Sequence, residues 1–139
     1  SFAGSGGASK FTGKTEFERT EEELLSDFEI VSNAVEQSGD ASLWNSTILI
    51  SHNPPKDTKC DAVNPELHVG SQLLRDYIQE NQPLAVITGH VHEGSSIDYI
   101  GNTIIINPGS LAEGKYAWLE LAKKDDGNWS VKSAVLSSL

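Results

Sequence analysis

Two short apolar runs, each followed by histidine, constrain the possible fold of this chain more than any other feature. The first run covers residues 47–50 and leads to His52, after which two prolines prevent a regular strand or helix from continuing. The second run covers residues 84–87, is apolar throughout, as in strands buried on both faces, and leads to His90 and His92. If a strand, a helix and a second strand form one right-handed crossover, these histidines meet at the same edge of a sheet.

Capping residues and apolar periodicity predict a helix on either side of the first run. Thr20 and Glu23 have the spacing of a capping box, and the apolar positions that follow predict a helix over residues 20–38. Ser71 is placed to cap a second, shorter helix between the two apolar runs. Residues 1–19 are rich in glycine, serine and threonine without sustained periodicity, which predicts a loop.

The C-terminal part of the chain has the pattern of antiparallel strands. Apolar runs over residues 97–100 and 103–106 flank a Gly-Asn turn, and runs over residues 116–121 and 129–135 flank a polar turn. Residues 47–139 are therefore expected to form an α/β and hairpin core. The predicted fold class is α/β within one domain.

Composition limits the functions that are open to this chain. Its formal charge of -10 opposes non-specific binding to nucleic acid or to an anionic membrane, because both favour a basic surface. No stretch approaches the roughly 20 apolar residues of a membrane span, and the lone Cys60 fits a reducing compartment, so we expect a cytoplasmic protein. An acidic protein that handles phosphate needs local positive charge, which divalent cations can supply.

The histidines have a spacing that permits a metal site. In an extended segment, His90 and His92 point to one side of the chain, and Gly89 allows the backbone to approach closely. With His52 at the matching strand end, three neutral imidazoles could bind a divalent metal. The competing interpretation is that His90 and His92 are simply a surface pair or a hydrogen-bonded pair. For His68, which stands alone in a loop, a structural role competes with a functional one.

Four ordered motifs resemble those of a known family. In chain order they are Ser51-His52-Asn53-Pro54-Pro55, His68-Val69-Gly70-Ser71, Gly89-His90-Val91-His92-Glu93 and Asn107-Pro108-Gly109-Ser110. In order and spacing they resemble the C-terminal half of the calcineurin-like metallophosphoesterases, over about residues 47–121. The glycine-rich opening with Phe11 and Phe17 resembles that of the small prokaryotic members.

The resemblance implies a fold, a pair of cofactors and a set of site residues. The fold would be the C-terminal half of a four-layer αββα double β-sandwich, and the cofactors would be two divalent metal ions, Mn, Fe or Zn. By position, His52 and His90 match ligands of one metal and His92 matches a ligand of the other. Three further residues would contact the substrate or support the ligands: His68, Asn53 and Gly89. No catalytic acid or base is identified within the chain.

The motifs of the family's N-terminal half do not occur in this sequence. There is no Asp-X-His or Gly-Asn-His, and the Gly-Asp pair at Gly39 lies in the wrong region, between a helix and a strand. The resemblance therefore implies hydrolysis of a phosphate mono- or diester, either a small molecule or a nucleotide, by a site of which this chain supplies the three-histidine half. We expect the chain to be inactive without the N-terminal half of the domain. An exposed half-sandwich would also favour self-association.

Two other functions remain open from the sequence. One is a non-catalytic scaffold of the same fold that binds other proteins, although scaffold members tend to lose metal ligands and the three histidines are present here. The other is an unrelated enzyme with a single metal held by histidines. That alternative leaves the order of the four motifs unexplained.

Overall fold

The computed structural model of the chain describes residues 1–10, 13–14 and 17–139, so Phe11 lies outside the described residues. Its described helices are α1 (Glu21–Ser38) and α2 (Gln72–Asn81). In chain order, the described strands are β1 (Phe2–Ser5), β2 (Ala8–Ser9), β3 (Glu18–Arg19), β4 (Ile48–Ser51), β5 (Ala62–Asn64), β6 (Leu67–His68), β7 (Ala85–Thr88), β8 (Ser96–Ile100), β9 (Thr103–Asn107), β10 (Lys115–Lys123) and β11 (Trp129–Ser138). Short 3-10 turns lie at Ala41–Ser46, Lys59–Asp61 and Leu111–Glu113.

A five-stranded sheet in the order β1-β4-β7-β9-β8 organises the chain. Strands β1, β4, β7 and β9 run parallel, and β8 is antiparallel to β9. Strands β4 and β7 are neighbours connected through α2, which is the strand, helix and strand unit that the two apolar runs predict. The mixed α/β class is thereby confirmed, and the carboxyl ends of the four parallel strands lie at one sheet edge.

Both helices begin at the predicted caps and cover one face of the sheet. Thr20 accepts a hydrogen bond from the Glu23 amide at 3.2 Å, and the Glu23 carboxylate accepts one from the Thr20 amide at 2.9 Å. Ser71 accepts one from the Leu74 amide at 3.1 Å. The core on this face is formed by buried side chains from the helices and the sheet, including Phe28, Leu49, Ile78, Val86 and Ile105. None of the described helices has the length and apolar character needed to span a membrane.

The hairpin of β10 and β11 covers only part of the opposite face. It packs over buried apolar residues of the sheet, namely Ile48, Ala85, Ile104 and Ile106. Toward the β1 edge, Phe2 is 72% exposed and Ile50 is 45% exposed. Phe2 is in register with Ile48, so it lies on the hairpin side of the sheet, and Ile50 follows two residues later on that same side. This part of the sheet presents an apolar surface that the described residues leave open.

The loop predicted for residues 1–19 is wrong in part. Phe2–Ser5 forms β1, which pairs in parallel with β4, and Ala8–Ser9 pairs with Glu18–Arg19. A four-residue strand with small side chains has no periodicity to detect, and its formation depends on the hydrogen-bonding edge that β4 provides. The core also extends beyond the predicted range of 47–139, because α1 packs against β1 and α2.

Candidate functional site

The carboxyl edge of the parallel sheet brings two of the predicted metal ligands together. His52 follows β4 and His90 follows β7, and the two strands are neighbours. The His52 Nε2 and His90 Nδ1 atoms are 3.1 Å apart, and the ring planes cross at 66° with centroids 5.0 Å apart. Both side chains are exposed. This is the edge at which α/β proteins gather their ligands.

His90 reaches this position through a tight turn and not through an extended segment. Its φ is 65°, in the left-handed region that few residues other than glycine adopt, and the Val91 amide donates to the Gly89 carbonyl at 2.7 Å. The predicted extended conformation of His90-Val91-His92 is therefore wrong. Val91 is buried in this turn, while His90 and His92 are both exposed. Backbone strain of this kind occurs often at functional sites.

The backbone at Gly89 pairs with the strand that leads to His52. Its amide donates to the His52 carbonyl at 3.3 Å, which continues the pairing of the two strands to the histidines. A Cβ at this position would lie 3.9 Å from His52 Nδ1, which is ordinary van der Waals contact. Close approach of the backbone therefore does not require glycine here.

Asn107, at the end of β9, fixes the turn that carries the histidines. Its side chain is fully buried, and Nδ2 donates to the carbonyl oxygens of Val91 at 2.7 Å and Cys60 at 3.0 Å. Its Oδ1 accepts a hydrogen bond from the Gly109 amide at 3.0 Å. Because Val91 lies between the two histidines, this one amide side chain anchors the backbone of both. The sequence gives no sign of this role for Asn107 beyond its place in the fourth motif.

His92 lies apart from the contact between His52 and His90. Its charge lowers the pKa of His90, and it makes a small contribution to the lowered pKa of Glu113, which depends mainly on the hydrogen bond from Lys115. Among the described residues, no group of three or more histidine, cysteine, aspartate or glutamate side chains is arranged to hold a metal ion.

The electrostatics of His90 favour the neutral imidazole. Desolvation is the largest cause of its lowered pKa, followed by the nearby positive charges that His52 and His92 would carry when protonated. A metal ligand must be neutral imidazole, so the lowered pKa is in the direction that ligation needs. In the absence of a metal, one imidazole nitrogen of the pair donates a hydrogen bond and the other accepts it.

The geometry of the pair fits two ligands of one metal ion. At metal to nitrogen distances of about 2.0–2.1 Å, two nitrogens in neighbouring coordination positions are separated by roughly 2.9–3.4 Å. The observed 3.1 Å between His52 Nε2 and His90 Nδ1 falls within that range. Two imidazoles are fewer than the three or four protein ligands that a zinc site uses. The histidine pair therefore fits part of a coordination sphere.

The described hydrogen bond of the Asn53 side chain joins it to the N-terminal segment and not to a histidine. Its side chain is buried, and Nδ2 donates to Ser9 Oγ at 2.8 Å, while its carbonyl accepts a hydrogen bond from Ser51 Oγ at 2.7 Å. The residue after His52 is thus fixed to the segment that begins after β1. The role of Asn53 in contacting substrate or supporting the ligands stays a prediction.

His68 is held by a buried aspartate that the sequence analysis missed. Its Nδ1 lies 2.7 Å from Asp61 Oδ1, and Asp61 is fully buried. The Asp61 carboxylate also accepts hydrogen bonds from the amides of Thr58 at 2.9 Å, Gly70 at 2.9 Å and Asp57 at 3.2 Å. His68 therefore has a structural partner. Thr58 and Asp61 have capping-box spacing, which is the signal that could have identified the aspartate.

The stability of the chain is expected to fall as the pH rises through the folded-state pKa of His68. The hydrogen bond to Asp61 is the largest cause of the raised pKa, and partial desolvation opposes it. A raised pKa means that the stabilisation is complete below the unfolded-state pKa and is lost above the folded-state pKa. In urea unfolding at several pH values, the free energy of unfolding should fall more steeply with rising pH for the wild type than for His68→Gln. Equal slopes for the two proteins would contradict this assignment.

Comparison with known proteins places the chain in a family. Residues 43–127 match the family described as metallophosphoesterase, calcineurin superfamily. An uncharacterized protein of Methanocaldococcus jannaschii is 37% identical over 112 residues, which cover 77% of this chain and 47% of that protein. The chain thus spans about half the length of this curated relative.

Two solved structures have the same fold. One aligns with a TM-score of 0.64 and 23% identity, covering 99% of this chain and 47% of the other. The second is TT1561 of Thermus thermophilus, with a TM-score of 0.54 and 20% identity, covering 84% of this chain and 46% of the other. The family match extends over more than half of the chain, including His52, His90 and His92. The chain therefore belongs to the calcineurin superfamily of metallophosphoesterases.

Proposed function

We propose that this chain supplies the histidine half of a metal-dependent phosphoester hydrolase site. In this proposal His52 and His90 hold one divalent cation and His92 contacts a second. The observation that carries the proposal is the 3.1 Å separation of His52 Nε2 and His90 Nδ1 at the carboxyl edge of the parallel strands. Membership of the metallophosphoesterase family supports phosphoester hydrolysis as the general reaction.

The cations, Mn, Fe or Zn, would polarise the phosphoryl oxygens of a mono- or diester and offset the negative charge that develops there. Other residues of this chain position the histidines that would bind the cations. The Gly89 amide, bonded to the His52 carbonyl, couples the two strand ends. Asn107 anchors Val91, so that the backbone on either side of it has a defined position. The acidic chain would obtain from the cations the positive charge needed to bind phosphate.

The remaining ligands are proposed to come from the other half of the domain. The chain spans 47% of its curated relative, and the two exposed side chains Phe2 and Ile50 mark an uncovered part of the sheet. A second sheet packed there would bury this apolar surface, which would make the chain the C-terminal half of a four-layer double β-sandwich. Carboxylates carried by that sheet would then complete the cation sites next to the histidines.

The proposal is tested by hydrolysis of bis-p-nitrophenyl phosphate and p-nitrophenyl phosphate in the presence of Mn. The assay compares the 139-residue chain with a longer protein that also includes the other half of the domain. We expect hydrolysis by the longer protein and negligible hydrolysis by the chain alone, because two or three histidines leave the cation sites incomplete.

Two outcomes would contradict the proposal. Hydrolysis by the chain alone that is abolished in His90→Ala would mean that the histidines form a self-sufficient site. Inactivity of both proteins would favour a non-catalytic scaffold that binds other proteins. Substitution of the exposed Lys132 on the hairpin by alanine serves as the control for effects unrelated to the site.

A further inference from the structure

A cleft of about 350 Å³ opens beside the histidine pair and includes an exposed aromatic ring. The cleft is lined by residues of the N-terminal segment and by the two histidines, namely Gly7, Ala8, Phe17, His52 and His90. Phe17 is 77% exposed, although its segment makes several backbone hydrogen bonds. Among the described residues, the lining of this cleft includes no lysine, arginine, aspartate or glutamate.

The backbone around Phe17 is paired directly with the opposite side of its own loop. The Ala8 amide donates to the Phe17 carbonyl at 3.2 Å, and the Lys10 amide donates to the Arg19 carbonyl at 3.1 Å. Gly7 has a φ of 96°, and a Cβ at this position would lie 2.7 Å from the Phe17 carbonyl oxygen. Only glycine allows this close approach, so the backbone position of Phe17 depends on glycine at residue 7.

Two side-chain contacts fix this segment to the rest of the site. Asn53, the residue after His52, donates from Nδ2 to Ser9 Oγ at 2.8 Å. Arg19 donates from both terminal nitrogens to the Asp27 carboxylate on α1, at 2.6 and 3.1 Å. The base of the segment is therefore attached both to the histidine strand and to the first helix. Phe17 is presented at a defined place next to the proposed cation site.

We propose that Phe17 is a stacking surface for a planar aromatic group of the substrate. This inference rests on the proposed function and narrows it to phosphoesters of aryl alcohols or of nucleosides. With the phosphate at the histidines, a ring attached to the ester would lie within the cleft that Phe17 also lines. Aromatic rings gain from offset stacking beyond the burial of their area. The absence of cationic side chains from the described lining disfavours a second phosphate at this place.

Binding can be tested by saturation-transfer NMR on the Zn-supplemented longer protein, in spectra recorded before the probes are appreciably hydrolysed. The probes are phenyl phosphate and adenosine 5′-monophosphate, which have a ring, and methyl phosphate, which does not. We expect saturation transfer to the ring protons of both aromatic probes, a loss of that signal in Phe17→Ala, and its recovery in Phe17→Tyr. Trp118→Ala is the matched control, since Trp118 is also an exposed aromatic side chain but lies on the hairpin.

The two aromatic probes distinguish the source of the ring. A signal that depends on Phe17 with phenyl phosphate supports an aryl ester, and one with adenosine 5′-monophosphate supports a nucleoside ester. Wild-type transfer to neither probe, or transfer that persists in Phe17→Ala, would overturn the inference. Equal loss in Trp118→Ala would do so as well, because the effect would not be specific to the cleft.

A kinetic measurement separates this inference from the proposed function. In the longer protein, Phe17→Ala should raise KM for bis-p-nitrophenyl phosphate by about two- to tenfold with little change in kcat, as expected for loss of a stacking contact. Hydrolysis with an unchanged KM would overturn the stacking role and leave the hydrolase proposal intact. Saturation transfer that depends on Phe17, in a protein that hydrolyses neither substrate, would support the stacking role and contradict the hydrolase proposal.

Discussion

The His90→Ala variant of the longer protein is expected to lose at least about 100-fold in kcat/KM for phosphodiester hydrolysis. Substitutions that only remove the support of a metal ligand typically cost about 10–100-fold, and His90 is a proposed ligand itself. His90 Nδ1 lies 3.1 Å from His52 Nε2, so its removal leaves His52 without its neighbouring imidazole. Lys132→Ala should retain the activity of the wild type.

A direct measurement of metal affinity supports the kinetic test. The affinity of the longer protein for Mn, measured by titration calorimetry, should fall by similar factors in His90→Ala and in His52→Ala. Because the two residues are proposed to act on one cation, the double variant should be little worse than either single variant. Full additivity of the two losses would indicate separate roles and would contradict the shared cation.

The Asp61→Ala variant is expected to lose about 3–5 kcal/mol of unfolding free energy. The side chain is fully buried and accepts hydrogen bonds from three backbone amides and from His68. Alanine would leave these donors without their partner in a region that water reaches poorly, and a buried unsatisfied donor costs more than a lost bond at the surface. Urea unfolding monitored by circular dichroism measures the difference.

Two further variants locate the source of that loss. Asp61→Asn keeps the volume and one acceptor oxygen, so it should lose less than alanine. Asp57→Asn is the matched control, because Asp57 is exposed, has a positive φ that asparagine tolerates, and should change stability by less than about 0.5 kcal/mol. A wild-type unfolding free energy in Asp61→Ala would mean that the segment between β4 and α2 is stabilised by other contacts.

The sequence predicts the placement of His52 and His90 well, because that placement depends on strand order. A strand that ends at His52 and a strand that ends near His90 become neighbours whenever one helix connects them in parallel, and the structure has that arrangement. The residue at which each helix begins also follows from local chemistry, as the caps at Thr20 and Ser71 illustrate. These features depend on residues close together in the chain.

The features that the sequence analysis missed depend on contacts between distant segments. The backbone of His90 is left-handed, and the turn that contains it is held by the three hydrogen bonds of Asn107, a residue 17 positions later. Nothing in the sequence around His90 indicates this conformation. Strand β1 forms against an edge that exists only after β4 has folded. Asn53 has a polar side chain beside a candidate ligand, yet its partner is Ser9, 44 positions earlier.

The backbone of His90 also has a consequence for how the sequence can change. A left-handed conformation costs an L-residue with a Cβ roughly 1–2 kcal/mol, and glycine avoids this cost. Glycine at this position would therefore favour folding while removing an imidazole from the edge of the sheet. Under the proposed function, stability and activity oppose one another at this residue, and its histidine would be retained at the expense of the fold. A descendant that had lost its reaction would be free to exchange that imidazole for a more relaxed backbone.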